Sequence, residues 1–281
     1  MDQGTATLFV VATPIGNLQD MQPRAVEILR NVALIAAEDS RHSAPLLRHF
    51  EISTQVWAYH DHSDQYRTGE IIKRLLSGED VALISDAGTP LISDPGYRLV
   101  DAAHKHGIRV TPIPGACAAI AALSASGLPT DRFRFAGFLP AKSQARLNAL
   151  EAYTDVVDTL VFYEAPHRLL DTLRDMQATF GGQRVVVLAR EVTKMFETIR
   201  RMPLEDMVEW VASDSNQQRG ECVLLVKGTV VDEAEFSPEI EKVMRVLADE
   251  LPLKQAATLA AKITGLKKNA LYQWALASLK T

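Results

Sequence analysis

Four consecutive apolar residues, Val81, Ala82, Leu83 and Ile84, break off into SDAGTP (85–90), and a second LISD (91–94) follows before Pro95 and Gly96. An apolar run without alternation fits a strand covered on both faces, and a sheet wound by helices on each side supplies that cover. Residues 8–12, 32–37, 56–59 and 109–112 read as further strands. Helical patterns at 24–31, 66–76, 96–106 and 116–126 alternate with them, which predicts a largely parallel α/β sheet with crossover helices. In such a sheet ligands gather beyond the carboxyl ends of the strands, so the abrupt stop after Ile84 marks a candidate site as well as a fold. Gly88 permits close backbone approach there, and Asp86 offers a carboxylate or caps a tight turn. Asp94, just ahead of Pro95, is expected to be the N-cap of the next helix.

Turn residues at 126–131 predict a boundary near residue 125. Beyond it, strand candidates at 133–138, 159–163, 184–189, 198–202 and 221–226 have fewer helices between them, so a mixed α+β lobe is expected over 126–230. The polar stretch 232–237 predicts a linker to a helical appendage, 231–281, with helices at 239–250, 253–263 and 268–279 and a break at Thr264 and Gly265. The expected architecture is therefore an α/β lobe over 1–125, a mixed lobe and a small appendage.

With 281 residues, 47% of them hydrophobic, the chain can bury a large core. No apolar run reaches membrane-spanning length, and the N-terminus lacks a basic segment followed by an apolar stretch and cleavage site, which predicts a cytoplasmic protein with no membrane partner. Cys117 and Cys222, with no His or Cys at ligand spacing, predict reduced thiols and no structural metal. The net charge of −5 disfavours indiscriminate nucleic-acid binding. From residue 251 onward, however, there is no Asp or Glu, while Lys254, Lys262, Lys267, Lys268 and Lys280 are present. Such lysines are either solvated helix faces or the footprint of a polyanionic partner.

Chemistry-bearing residues cluster at the expected strand ends. ATPIGNL (12–18) follows the first strand but has neither the G-x-G-x-x-G spacing of a dinucleotide site nor the Gly-Lys-Ser/Thr of a P-loop, so it is a tight connection or a ligand turn of another kind. IPGACAA (113–119) leads into a helix of small residues that admits either a neighbouring element or a flat ligand. EDSRH (38–42) packs two acids, a hydroxyl and two basic groups into five positions and reads as a substrate-side site or as helix capping by Asp39 or Ser40 with an ion pair to Arg41. YHDH (59–62) lacks partners to complete a metal site, which leaves surface or RNA contact. FYEAPHR (162–168) and AREVTK (189–194) supply either Glu–Arg pairs between strand ends or cations for phosphate oxygens.

The motifs ATPIGNL, AAEDSRH, LISDAGTPLISDPGY, PIPGACAAIAALSASGLPTDRF, GFLPAK, FYEAPHR, AREVTK and RGE, in this order across residues 8–228, resemble the tetrapyrrole methylase superfamily. Within it they are most similar to the bacterial small-subunit ribosomal RNA cytidine 2′-O-methyltransferases, whose tail LPLKQAA and TGLKKN also resemble. The resemblance implies a two-lobed fold binding S-adenosylmethionine in the cleft, a homodimer, and methylation of a cytidine ribose in the decoding region of 16S ribosomal RNA or the small subunit. It implies cofactor contact at Pro14, Gly16, Asp86, Ala87, Gly88, Ile113, Pro114, Gly115, Ala116, Leu139 and Pro140. It places substrate-side roles on Arg41, Glu164, His167, Arg168, Arg190, Glu191 and Lys194, and leaves Glu38, Asp39 and His60 as candidates to take the hydroxyl proton. Ala116 and Cys117 depart from the Pro-Ser of the family pattern. Two rivals stand beside this reading. A corrin-type methylase would carry a G-x-G-P-G-D turn where this chain has TPIGN, and an RNA-binding assembly factor would leave the acidic strand ends without a purpose.

Overall fold

The computed structural model describes residues 6–60, 65–229, 237–266 and 268–279. Asp61 and His62 of the YHDH motif, Lys267, Lys280 and linker residues 232–236 lie outside the described residues. The chain divides into a unit through Lys227 and a second unit from Gly228 onward.

The first unit opens with β1 (Thr7–Val11), α1 (Pro23–Asn31), β2 (Leu34–Ala37), α2 (Ser40–His49), β3 (Val56–Ala58), α3 (Gln65–Leu76), β4 (Val81–Ile84), α4 (Tyr97–Lys105), β5 (Arg109–Ile113) and α5 (Ala118–Ala125). The five strands form one parallel sheet in the order β3-β2-β4-β1-β5. Every residue of β2 and β4 is buried, as their unbroken apolar runs require. Val11, Ile35, Ala82 and Ile84 face Ala25 and Leu29 of α1 and Leu47 of α2, while Leu8, Leu34 and Leu83 face Ile71 of α3 and Leu99 of α4. Fully burying each such Leu or Ile contributes about 1.5–3 kcal/mol. Because β4 lies between β2 and β1, and β5 on the far side of β1, the crossovers change direction around β1. This opens a crevice at the carboxyl ends of β1, β4 and β5.

β6 (Phe133–Phe138), α6 (Ser143–Glu151), β7 (Thr159–Glu164), α7 (Leu169–Phe180), β8 (Val185–Arg190), β9 (Thr198–Pro203), α8 (Leu204–Ser213) and β10 (Cys222–Val226) follow. Their sheet, β6-β7-β10-β8-β9, is mixed: β6 and β7 are parallel and the remaining pairs antiparallel. Leu160, Phe162, Leu188 and Leu224 pack on α6, α7 and α8, while Val161, Val187, Val223 and Leu225 pack on Ala119, Ala122 and Leu123 of α5. Sequence alternation placed α5 with the first lobe. It covers the second sheet instead, because its alanines let the helix lie close against β-branched side chains. The capping alternative for EDSRH holds: Asp39 initiates α2 by accepting from the Arg41 amide and pairs with the Arg41 guanidinium (3.0 Å), although the span of the helix, with Pro45 inside it and polar residues along it, was not among the helical patterns read from the sequence.

The second unit is α9 (Pro238–Glu250), α10 (Leu253–Thr264) and α11 (Lys268–Ser278) around Met244, Ala256, Ala260, Leu271 and Ala275. Gly265, left-handed at φ 74°, caps α10 by donating to the Ala261 carbonyl. Among the described residues no helix is long and apolar enough to cross a membrane, and no three His, Cys, Asp or Glu side chains group as a metal site would require.

Candidate active site at the strand ends

The parallel register brings the loops after β1, β2, β4 and β5 to one edge, where backbone contacts fasten them together. Thr13 N–H donates to the Gly88 carbonyl (2.8 Å) and Gly88 N–H to that of Thr13 (3.1 Å), which joins the Pro14–Gly16 loop to the Asp86–Gly88 loop. Gly88 sits at φ 81°, and a Cβ there would lie 3.1 Å from the Ile15 side chain. The turn through Pro114 and Gly115 approaches just as closely: a Cβ on Gly115 would meet that of Ala12 at 2.9 Å, and Thr89 Oγ1 donates to the Ala116 carbonyl at 2.9 Å. Ile113 is a buried strand residue whose carbonyl accepts from Ala12.

The acidic residues are cross-tied between β2 and β4. Asp86 accepts from the Asp39 amide (3.1 Å), and Glu38 accepts from the Asp86 amide (3.4 Å). Burial raises the Glu38 pKa above its ordinary value, opposed by the Asp86 amide and reinforced by the Asp86 charge; His60 and His42 lie close enough to temper the rise. Asp39 is the reverse case. Its bonds from the Arg41 guanidinium and amide hold its carboxyl down at about 2, and Arg41 itself stands exposed beside it. His60 is exposed at the end of the segment leading from β3.

Next to these acids is a cavity of about 360 Å³. Ile15, Ala87, Gly88, Thr89 and Asp94 form one wall, and Phe138, Tyr163, Glu164, Val192 and residues 220–223 form the other. Small-molecule sites run from roughly 300 to 1,000 Å³, mostly apolar with a few convergent polar groups, and this cavity has that make-up. Of the residues expected at the cofactor, Ala87 and Gly88 line the cavity, whereas Pro14, Gly16, Asp86, Ile113–Ala116, Leu139 and Pro140 do not; of these, Ala116 is tied to the lining directly, through Thr89.

Asp94 differs from expectation. The N-cap of α4 is Gly96, with no side-chain cap, and left-handed Leu91 (φ 72°) and Ser93 (φ 67°) swing the chain so that the Asp94 carboxylate enters the cavity and bonds to Ser85. Burial, opposed by that bond and reinforced by Glu38 and Asp86, pushes its pKa up to about 6. Residue types alone do not announce this, because an Asp ahead of Pro-Gly has the form of a cap and non-glycine residues seldom adopt positive φ. Tyr163 was also missed. Its hydroxyl accepts from the Ala119 amide (3.2 Å) at the start of α5, and burial raises its pKa.

On the opposite wall the charges are paired. The buried Glu164 carboxylate accepts from the Ala165 amide (2.8 Å) and Thr172 Oγ1 (2.6 Å), with Arg168 Nε 3.2 Å away. Arg168 also donates to the Leu139 (2.6 Å) and Pro140 (3.1 Å) carbonyls. Arg190, opposite Cys222 in the sheet, is buried and donates to the Arg219 and Phe196 carbonyls and to Thr198 Oγ1. Lys194 Nζ lies 2.9 Å from Glu191 and 3.1 Å from Glu221, and its methylenes occupy the space beside Gly16. Burial alone would raise the Glu191 carboxyl, but Lys194 and the Glu221 amide overcome it and hold it low. His167 is exposed in the single turn before α7. Arg168, Arg190 and Lys194, the cations expected at phosphate oxygens, are thus engaged within the protein, and among the residues given substrate-side roles Arg41 and His167 are the ones facing solvent.

The whole chain is similar to known proteins. Residues 7–208 match the family described as Tetrapyrrole (Corrin/Porphyrin) Methylases, and residues 234–280 match the RsmI C-terminal HTH domain. It is 61% identical over 272 residues to the "Ribosomal RNA small subunit methyltransferase I" of Pseudomonas aeruginosa, covering 96% of each chain. With the protein of that name from Vibrio cholerae it is 52% identical, covering 98% of this chain and 96% of the relative. Diphthine synthase shares the fold (TM-score 0.61, 15% identity, 79% of this chain and 90% of the other). So does uroporphyrin-III-C-methyltransferase from Thermus thermophilus (TM-score 0.54, 19% identity, 79% and 94%). Those two likenesses carry the fold and nothing finer, whereas high identity over nearly the full length of both chains carries the family: this chain belongs to the tetrapyrrole (corrin/porphyrin) methylases and, within them, to the ribosomal RNA small subunit methyltransferase I family.

Proposed function

We propose that the protein uses S-adenosylmethionine to methylate 16S ribosomal RNA of the small subunit, at the 2′-oxygen of a cytidine in the decoding region. The observation that carries methylation of small-subunit RNA is the 61% identity over 96% of both chains to a relative with that activity in its name. The 2′-oxygen and the cytidine rest on the motif resemblance.

The cavity suits the cofactor in size and chemistry. It is largely apolar, is lined by backbone brought close at Gly88, and has a carboxylate at its wall for a cationic ligand. Bound there, S-adenosylmethionine supplies a methyl group already activated by its sulfonium. Ile15, Ala87, Gly88, Thr89, Phe138 and Val192 would enclose it and exclude water, with the Pro14–Gly16 and Ile113–Ala116 turns fixing those walls and Leu139 and Pro140 held by Arg168. Glu38 accepts the ribose hydroxyl proton as the oxygen–carbon bond forms, since burial and the Asp86 charge raise its proton affinity towards the working pH. Asp39 is the weaker candidate because Arg41 and the helix cap already use its oxygens, and exposed His60 is left to adjust Glu38. Arg41 and His167 are positioned for RNA phosphates, while Arg190, Glu191 and Lys194 hold the loops that frame the cleft.

The enzyme would work in the cytoplasm as a homodimer, for which exposed Met195 (90%) and Phe196 (68%) offer an apolar surface. Methyl transfer from labelled S-adenosylmethionine to small subunits from a strain lacking the enzyme, with nuclease mapping, tests the reading. Label on a cytidine 2′-oxygen is the expected result. Label on a base overturns the ribose assignment, and cofactor binding without any labelling of RNA returns the corrin-type alternative.

A further inference from the structure

The cavity wall holds three carboxylates, and two of them are accounted for. Glu164 is enclosed by Arg168, Thr172 and the Ala165 amide, and the exposed Glu221 is paired with Lys194. Asp94 is different. It bonds to the neutral Ser85 hydroxyl, the charges that act on it are those of Glu38 and Asp86, both negative, and no cation pairs with it among the described residues. Across the cavity Tyr163 faces it with a neutral phenol. A half-buried carboxylate with like charges around it is unfavourable in the empty protein unless a cation arrives with the ligand.

The local backbone holds this arrangement in place. Left-handed Leu91 and Ser93 flank the approach to Asp94, conformations that side chains seldom adopt without something to hold them there. Gly137, at φ 64° beside the register shift in β6, allows that strand to approach Ser93; a Cβ there would lie 3.5 Å from Ser93 Oγ. Gly96 fits between Leu83 and Leu91, where a Cβ would meet Leu83 at 2.7 Å. A cap role needs none of these features, and Gly96, not Asp94, occupies the cap position.

We infer that Asp94 is the counter-charge for the cationic part of the bound cofactor, so that the site recognises a positive ligand through this one unpaired carboxylate. The inference rests on the proposed use of S-adenosylmethionine and names the residue that binds its charge. Two groups of that cofactor are cationic, the sulfonium and the α-ammonium. S-adenosylhomocysteine keeps the ammonium and has a neutral thioether, so the two ligands separate the sources.

The test is calorimetric binding of S-adenosylmethionine and S-adenosylhomocysteine to the full-length wild type and to D94N, with the unliganded melting temperature of each as the folding control. Asp94→Asn should weaken S-adenosylmethionine about tenfold or more. An unchanged affinity for S-adenosylhomocysteine assigns the contact to the sulfonium, and an equal loss assigns it to the ammonium. Equal binding of S-adenosylmethionine by wild type and D94N overturns the inference and leaves the proposed function standing, whereas a wild type that binds neither ligand overturns the proposed function itself. Ser85→Ala, which removes the bond that orients Asp94, should show a smaller loss of the same kind and serves if D94N does not fold. Wild-type affinity for S-adenosylmethionine in S85A counts against the inference.

Discussion

On the β7, β8 and β10 side of the cavity each carboxylate is matched: Glu164 with Arg168, and Glu191 and Glu221 with Lys194. On the β2 and β4 side, Glu38, Asp86 and Asp94 crowd together with amides, a hydroxyl and nearby histidines as their neighbours, and the pKa values of Glu38 and Asp94 rise. Both sides began as the same kind of sequence, an apolar strand giving way to charged residues, and the fold divides them by purpose. Matched charges fix geometry and lose most of their reactivity. Unmatched ones cost stability and are thereby poised to take a proton or a cation.

If this division is right, the largest effect on stability belongs to the matched side. Arg168→Ala strands the fully buried Glu164 carboxylate and frees the Leu139 and Pro140 carbonyls, and should cost about 3 kcal/mol in urea unfolding. A variant that keeps its stability but loses RNA affinity would break the comparison, because Arg168 would then be a phosphate ligand.

Lys194→Ala should cost less, about 1–2 kcal/mol, by unpairing Glu191 and Glu221 and uncovering Gly16. The sign with pH follows from Glu191, whose folded pKa lies below its ordinary 4.5. Its share of the stability is present above 4.5 and is lost as pH falls through the depressed value, so the gap between wild type and K194A should narrow in acid. A gap that stays constant on acidification would assign the loss to the packing of the Lys194 methylenes alone.

The strands and their ligand-bearing ends were legible because β2 and β4 are unbroken apolar runs, β2 ending in two acids and β4 in an acid, glycine and proline, a pattern set by burial on both faces. The pairing of the charges was not. Which cation Glu164, Glu191 or Arg190 meets is decided by register across the second sheet, where Arg190 sits opposite Cys222, and by carbonyls such as those of Leu139 and Phe196 that carry no sequence signature. α5 could be read as a helix of small residues, but not the sheet it would choose. Asp94 was hidden by the dihedrals of Leu91 and Ser93, since nothing in those residue types announces a left-handed turn.

The smallest expected effect has the opposite sign and tests the unmatched side directly. Glu38, Asp86 and the Ser85 hydroxyl surround Asp94 on its own side and the neutral Tyr163 phenol faces it, so ionised Asp94 destabilises the unliganded protein. The rise from 3.8 to about 6, screened by solvent at a half-buried group, converts to about 1 kcal/mol. Because the folded pKa is the higher one, the penalty is full above about 6, shrinks as the folded protein takes up its proton, and is gone below 3.8. Asp94→Asn should therefore melt higher than the wild type at neutral pH without ligand, and the difference should vanish in acid. Under saturating S-adenosylmethionine the order should reverse, since the wild type then gains the binding energy that D94N has lost. A D94N protein less stable than wild type at every pH would mean that Asp94 holds the turn together through Ser85, and that side of the cavity would then be matched after all.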